Sequence, residues 1–312
     1  MTTQSQVKFG LFMSTIEVQS DGSPNDWPSI LAKTQIAEQI GLDTVWIMDR
    51  LLFAVGDRNY GVWDPLALLP ALAMATDRIQ LGTWVLSAAY RHPALLARNL
   101  AAVQAISGGR LIVGIGPGNA DNDPECERYG LPMDHRYQRF TEAFAILRGM
   151  FRDGTSSFGG NYWQTDEATL LAPGPSERPP LYVAARGDHM LRQAARHADG
   201  WAGMAYTGPD AFETFRNEMQ RVDDACRRTG RDPESLGRAY LVFVEVSGDN
   251  ADETAAPWIT CSGSPSEVAV CLRRFIEGGV THLLVSPIPD TPASVEQLAP
   301  VIRELRDSIS SA

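Results

Sequence analysis

The sequence predicts an α/β fold closed into a barrel of eight strand–helix units, and three observations predict it. Short apolar runs rich in β-branched residues alternate with amphipathic helical stretches from residue 7 onward. Those runs are apolar throughout rather than alternating, as parallel strands covered on both faces should be. Polar and glycine residues follow strand after strand, which is where a (β/α)8 TIM barrel assembles its ligand site.

Residues 7–13 form the first predicted strand, followed by a long polar loop at 14–26 and an amphipathic helix over 28–40 that Gly41 closes. A short buried strand over 44–48 ends at Asp49-Arg50. After a loop over 51–63, a helix over 64–76 opens with Asp64 as cap and Pro65 at its first position. The apolar run 79–86 is the third strand, and His92-Pro93 starts the next helix. Leu95, Leu96, Leu100, Val103 and Ile106 recur there at helical spacing until Ser107-Gly108-Gly109 stops the run. Residues 111–115 give the fourth strand, running into the glycine-rich 114–118, then a polar loop and a helix over 136–151. The Gly-, Ser- and Pro-rich stretch 154–180 interrupts the rhythm as an insertion, a lid or a disordered excursion, in which Gly159-Gly160-Asn161 can join two short strands.

The alternation resumes with strands over 181–185, 200–204, 239–246 and 281–286. Helices over 189–197, 209–228 and 264–277 separate them, and a last one begins at Thr291-Pro292, where Pro300 is expected to introduce a kink. Eight units in 312 residues are read as one domain over 1–312, a length that α/β barrels commonly fill as a single unit.

A net charge of −11 points away from nucleic-acid and anionic-membrane partners. The first residues lack an apolar signal region and no apolar run is long enough to span a bilayer, so a cytoplasmic protein is expected. Cys126, Cys226, Cys261 and Cys271 lack metal-type spacing and are expected to be free thiols, with no metal bound.

Gly114-Ile-Gly-Pro-Gly-Asn resembles a dinucleotide fingerprint only superficially. The third glycine is replaced by Asn119, and Pro117 removes a backbone N–H that would cradle a pyrophosphate. A glycine turn at a strand end, accepting a flat ligand against its backbone, fits better. Asp49-Arg50 stands where a carboxylate can be desolvated and its pKa raised, or can simply cap a helix or form an ion pair. Arg91-His92 reads as a capping pair, His282 as a core histidine and Thr83 as structural, while Ser87 can bond a ligand or its own backbone. Ala184-Ala-Arg-Gly-Asp-His-Met starts a helix directly after a strand, which suits either a phosphate or an ordinary turn. There is no Ser-His-Asp or Cys-His arrangement and no Gly-x-Ser-x-Gly elbow.

Several of these stretches resemble the bacterial luciferase-like monooxygenase superfamily, in particular its coenzyme F420-dependent oxidoreductase branch. They are Thr44-Val-Trp-Ile-Met-Asp-Arg, Arg78-Ile-Gln-Leu-Gly-Thr-Trp-Val-Leu, Arg91-His-Pro and Ser107-Gly-Gly-Arg-Leu-Ile-Val-Gly-Ile-Gly-Pro-Gly. Ala184-Ala-Arg-Gly-Asp, Ala198-Asp-Gly-Trp and Gly279-Val-Thr-His-Leu complete the set in the family's order.

The resemblance implies a flavin-type ring in the carboxyl-terminal mouth, backed by a non-prolyl cis peptide at Trp84–Val85. It assigns Asp49 and Ser87 to the ring's polar edge or side chain, Pro117, Gly118 and Asn122 to the ring and ribityl chain, and Arg186, Gly187 and His189 to the phosphate. Relatives often carry Asp-His where this chain has Asp49-Arg50, which removes a proton donor of near-neutral pKa. An arginine there would grip an anionic substrate or the cofactor's acidic tail. Glu17 and Asp49 are the candidate acids. The expected activity is F420-dependent hydride transfer to or from a small organic substrate. The alternatives are an FMN-dependent monooxygenase using oxygen and FMNH2 from a separate reductase, and a flavin-binding protein without catalysis. Family habit implies a homodimer.

Overall fold

The structure is a computed structural model that describes residues 7–19, 22–55, 57–118, 123–170, 177–205, 210–247 and 259–310. Eight parallel strands close into a ring: β1 (Lys8–Met13), β2 (Thr44–Ile47), β3 (Gln80–Thr83), β4 (Leu111–Gly116), β5 (Leu181–Ala184), β6 (Gly200–Met204), β7 (Gly237–Val246) and β8 (His282–Pro287). They pair in chain order. The β4–β5 pairing (Val113 beside Leu181) and the β8–β1 pairing (His282 beside Lys8) complete the circle.

Around the ring run α1 (Trp27–Gln39), α2 (Pro65–Met74), α3 (Pro93–Ile106), α4 (Arg136–Asp153), α5 (Asp188–His197), α6 (Ala211–Arg228), α7 (Pro265–Glu277) and α8 (Leu298–Ser310). Capping chemistry sets their starts. Asp26 accepts Ser29 N–H, Asp64 accepts Leu66 N–H, and Ser264 with Glu267 forms a capping box.

Strand side chains of period two divide the core into two sets. Leu11, Met13, Val45 and Ile47 join a large cluster that includes the helices, whereas Phe12, Trp46, Ile112, Leu241 and Leu284 form a second cluster drawn from strands alone. The second set therefore fills the barrel interior. Trp46 is its hub, edge-on to Trp84, Tyr182 and His282. Gly82 makes the room, since a Cβ there would lie 2.3 Å from the Trp46 ring. His282 is the core histidine expected. Its Nε2 lies 2.7 Å from Thr44 Oγ1, which also accepts the Trp46 indole N–H at 2.8 Å. Burial, with Lys8 adding to it, pushes the His282 pKa down to about 3.

A second polar knot lies under the loops that leave β1 and β8. Lys33, fully buried on α1, donates to Asp290 Oδ2 at 2.9 Å and to Asn25 Oδ1 at 3.1 Å, and Asn25 donates in turn to the carbonyls of Ser14 and Ile16. The charge of Lys33 thus organises two loops at the mouth.

Three expectations need correction. The run 79–86 is not one strand, because a cis peptide at Trp84–Val85 separates β3 from the two-residue strand Leu86–Ser87. Not all cysteines are free: Cys261 and Cys271 form a disulfide between a short strand beside β7 and helix α7, while Cys126 and Cys226 remain buried thiols. Pro300 does not kink the last helix. The chain breaks earlier, after the short helix Pro292–Glu296, so Pro300 falls in the first turn of α8, where its missing N–H has no partner to lose.

The insertion holds an antiparallel hairpin (Thr155–Gly159 with Gln164–Thr169), and residues 171–176 lie outside the described residues. That hairpin is docked along α4, where the carboxylate of Glu142 accepts the amides of Asn161, Tyr162 and Trp163. The loop after β2 contains a second hairpin, Leu52–Val55 with Arg58–Gly61. Among the described residues no helix is long and apolar enough to cross a membrane, and no cluster of His, Cys, Asp and Glu could hold a metal ion.

Candidate active site

The carboxyl ends of β2, β3, β4 and β5 share one mouth. The Leu86–Ser87 strand continues alongside β4, with Leu86 beside Ile115 and Ser87 beside Gly116. Thr83 anchors the break structurally, since its hydroxyl donates to Gly114 C=O at 2.8 Å and accepts Gly114 N–H at 2.9 Å. These ends pack closely and leave little room for a side chain on β4. A Cβ at Gly116 would lie 3.1 Å from Val85 Cγ2 and 3.3 Å from Ala184 Cβ. Pro117 and Gly118 line the same end, Gly118 with a positive φ that glycine adopts at no steric cost. Asn122 lies outside the described residues. Trp84 is half-buried, its ring 5.6 Å from that of Trp46 and nearly perpendicular to it.

Asp49, just past β2, is buried and fully engaged. Its Oδ2 accepts Ser87 N–H at 2.9 Å and an Arg91 guanidinium N–H at 2.7 Å, while Oδ1 accepts the other Arg91 nitrogen at 2.9 Å. That nitrogen also reaches Asp64, the cap of α2, at 2.7 Å. Burial pushes the Asp49 carboxyl above the ordinary range, against the pull of Arg91 and the Ser87 amide. Both oxygens act as acceptors, so the carboxylate spends its lone pairs on fixing backbone and Arg91. His92 caps α3 as expected, with Ala94 N–H 3.3 Å from Nδ1.

The neighbouring Arg50 pairs with Glu125, Nε to Oε1 at 2.6 Å, and stands over the Phe53 ring. Glu125 belongs to a short helix, Asp123–Arg128, that follows the glycine turn. Glu17 is exposed. Its carboxylate accepts Gly61 N–H at 3.0 Å and its own N–H donates to Gly61 C=O, which ties the first loop to the 52–61 hairpin.

On the far side of the mouth, β5 runs into α5 through Arg186 and Gly187, both exposed. Gly187 caps α5 without a side-chain bond, and a Cβ there would meet nothing within 4 Å. Asp188 is turned to Arg221 at 2.9 Å, and that bond holds its carboxyl below the usual range. His189 Nε2 lies 3.5 Å from Thr141 Oγ1 of α4. The first amides and the positive dipole end of α5 are thus presented beside Arg186 and His189, a setting suited to an anion.

The structure therefore gathers Asp49, Arg50, Trp84, Val85, Ser87, Pro117 and Gly118 around the ends of β2 to β4. It sets Arg186, Gly187 and His189 at the end of β5 and commits Glu17 to the hairpin. Sequence reasoning missed Arg91 as the partner of Asp49 and missed Glu125 altogether. For Arg91 a signal existed, because opposite charges follow the ends of adjacent strands. Glu125 sits in a polar stretch where nothing distinguishes one carboxylate from another.

Fold and mouth together are those of an α/β-barrel oxidoreductase. The chain belongs to the luciferase-like monooxygenase family, whose sequence profile matches residues 7–282. It is 27% identical over 285 residues to an F420-dependent glucose-6-phosphate dehydrogenase of Amycolatopsis mediterranei, covering 80% of this chain and 85% of that protein. It is 31% identical over 228 residues to an F420-dependent hydroxymycolic acid dehydrogenase of Mycobacterium tuberculosis, covering 73% of this chain and 61% of that one. In structure it resembles an F420-dependent secondary alcohol dehydrogenase in complex with an F420-acetone adduct. The TM-score is 0.80 at 22% identity, over 97% of this chain and 100% of that chain.

Proposed function

We propose that this chain is a coenzyme F420-dependent oxidoreductase that moves hydride between the deazaflavin and a small organic substrate. The substrate is an activated C=C, C=N or carbonyl compound or, in reverse, an alcohol. The observation that carries the reading is the gathering of polar and glycine residues at the ends of β2 to β4, where Asp49 holds Ser87 beside the glycine turn, with the uncapped start of α5 across the mouth. The first suits the polar edge of a flat ring and the second a phosphate, and the relatives named above are F420-dependent.

In this reading Trp84 and Val85 back the ring, and Ser87, held by Asp49, faces its polar edge. Pro117, Gly118 and Asn122 line the ring and ribityl chain, and Arg186, Gly187 and His189 hold the phosphate with the α5 amides. F420 supplies the two-electron hydride chemistry when bound. The chain's own share is orientation and exclusion of water. Arg50 orients substrate and does not exchange a proton, because a guanidinium stays charged near neutrality. Glu17, at the exposed lip, is the candidate for proton exchange with solvent.

We extend the proposal to assembly. Helix α2 carries no charged residue, and Met74 on it with Leu95 and Ile106 on α3 are exposed, a face suited to a second copy of this chain. Recycling of reduced cofactor would fall to a separate reductase. The test of the activity mixes the protein with reduced F420 and a panel of enones, imines and ketones. Return of the oxidised deazaflavin's visible absorbance, dependent on both protein and substrate, is the expected result. A panel that leaves reduced F420 unoxidised, together with alcohols that leave oxidised F420 unreduced, would overturn it.

A further inference from the structure

A buried carboxylate that the proposed chemistry does not use stands where three of the mouth's loops meet. Glu125 is 3% exposed. Its Oε2 accepts the amides of Leu51 and Leu52 at 2.8 and 2.7 Å, the two residues that begin the 52–61 hairpin. Its Oε1 accepts the Tyr90 hydroxyl at 2.8 Å and lies 2.6 Å from Arg50 Nε. One side chain thus joins the loop after β2, the loop after β3 and the helix after β4.

The connection is paired with another. Asp49 and Arg50 are consecutive, as are Tyr90 and Arg91. Asp49 bonds Arg91 directly, and Arg50 reaches Tyr90 through Glu125. The first link fixes Ser87, on the ring side of the mouth, while the second fixes Arg50 and the start of the hairpin. The far end of the hairpin is held independently, at Gly61 by Glu17 and at Trp63 by the carbonyls of Thr15 and Asn25. Glu125 is therefore the hold at the end of the hairpin nearest Arg50.

We propose that Glu125 is a positioning residue for substrate: it sets the Arg50 guanidinium and the 52–61 hairpin over the mouth and leaves cofactor binding to the other link. The proposal rests on the F420 reading for the identity of the bound ring, but the placement of the hairpin can be measured without it. Burial explains why a charge is used here. A carboxylate that accepts two amides and a phenol and is paired with a guanidinium fixes all of them at once, and in a desolvated site those contacts hold firmly.

The test compares Glu125→Gln, Glu125→Ala and the double variant Arg50→Gln/Glu125→Gln, which removes both charges and so avoids an uncompensated buried ion. The readouts are amide exchange at Leu51 and Leu52, tryptic cleavage after the exposed Arg58, F420 affinity by fluorescence, and KM and kcat with cyclohex-2-enone as probe substrate. Exchange and cleavage should rise about tenfold in Glu125→Ala and in the double variant, because local opening of the hairpin no longer breaks those bonds. The F420 Kd should stay within about twofold while KM rises about fivefold or more and kcat holds, as loss of a positioning contact rather than a global defect requires. Unchanged exchange at Leu51 and Leu52 in Glu125→Ala would overturn the proposal. So would an F420 Kd that weakens in step with KM. If cyclohex-2-enone is not reduced, the exchange and cleavage results still decide whether Glu125 holds the hairpin, and the missing turnover counts against the F420 reading alone.

Discussion

Replacing Lys33 by methionine removes the cation from the knot beneath the mouth while keeping the side chain's length and apolar stem. Lys33 is fully buried, and Asp290, its 2.9 Å partner, is 4% exposed. Breaking one side of such a pair leaves an uncompensated buried charge and costs about 3–5 kcal/mol. At an unfolding entropy of about 2 cal/mol/K per residue, the 312-residue chain should lose about 5–8 °C in Tm.

The defect should depend on pH with a definite sign. Burial already pushes the Asp290 carboxyl above its ordinary value of 3.8, and the variant removes the Lys33 charge that pulls it back. The folded state then keeps a proton that the unfolded chain has released. Stability therefore falls as pH rises from about 4 through the folded pKa, so the variant should be nearly as stable as the parent at low pH and most impaired above that folded pKa. Lys33→Met/Asp290→Asn should recover most of the loss. Urea unfolding at several pH values checks all three statements. A Lys33→Met loss that is constant with pH, or a double variant no better than the single one, would refute the reasoning.

Three further outcomes are expected. His282 is held neutral with a pKa of about 3 against an ordinary 6.5, so the unfolded chain takes up its proton first. Stability should fall as pH drops below 6.5, by at most about 1.4 kcal/mol per unit, and His282→Gln should flatten that slope in urea titrations. Gly82→Ala places a methyl 2.3 Å from the Trp46 ring and should cost about 1–3 kcal/mol, with a shifted tryptophan emission as the local sign. Arg186→Ala should weaken F420 binding about tenfold, increasingly relieved by salt, and leave Tm unchanged because the residue is exposed.

The barrel was legible because its strands are covered on both faces. Thr44-Val-Trp-Ile and Leu111-Ile-Val-Gly-Ile-Gly can hardly be anything else once helices with proline starts lie between them. The break at Trp84–Val85 was not legible from pattern, since apolar residues continue across it and only the family resemblance pointed there. The 155–169 hairpin announced itself through Gly159-Gly160-Asn161, but its docking depends on Glu142, thirteen or more residues away on another element. The Cys261–Cys271 bond escaped because a ten-residue separation says nothing about two side chains meeting across a strand and a helix. At the site, residue types and positions were read correctly as polar groups at strand ends, yet their partners were not. Whether Asp49 meets water, ligand or Arg91 is decided by the closure of the ring, which brings residue 91 within 2.7 Å of residue 49.

The central claim is that the mouth beside Trp84 and Val85 binds a deazaflavin, and equilibrium titration of the purified protein tests it. Coenzyme F420 and FMN should be titrated separately, each followed by its own fluorescence, with Arg186→Ala as the control. Saturable F420 binding that weakens in Arg186→Ala, with no comparable FMN binding, is the predicted result. Tight FMN binding with none of F420 would contradict the account.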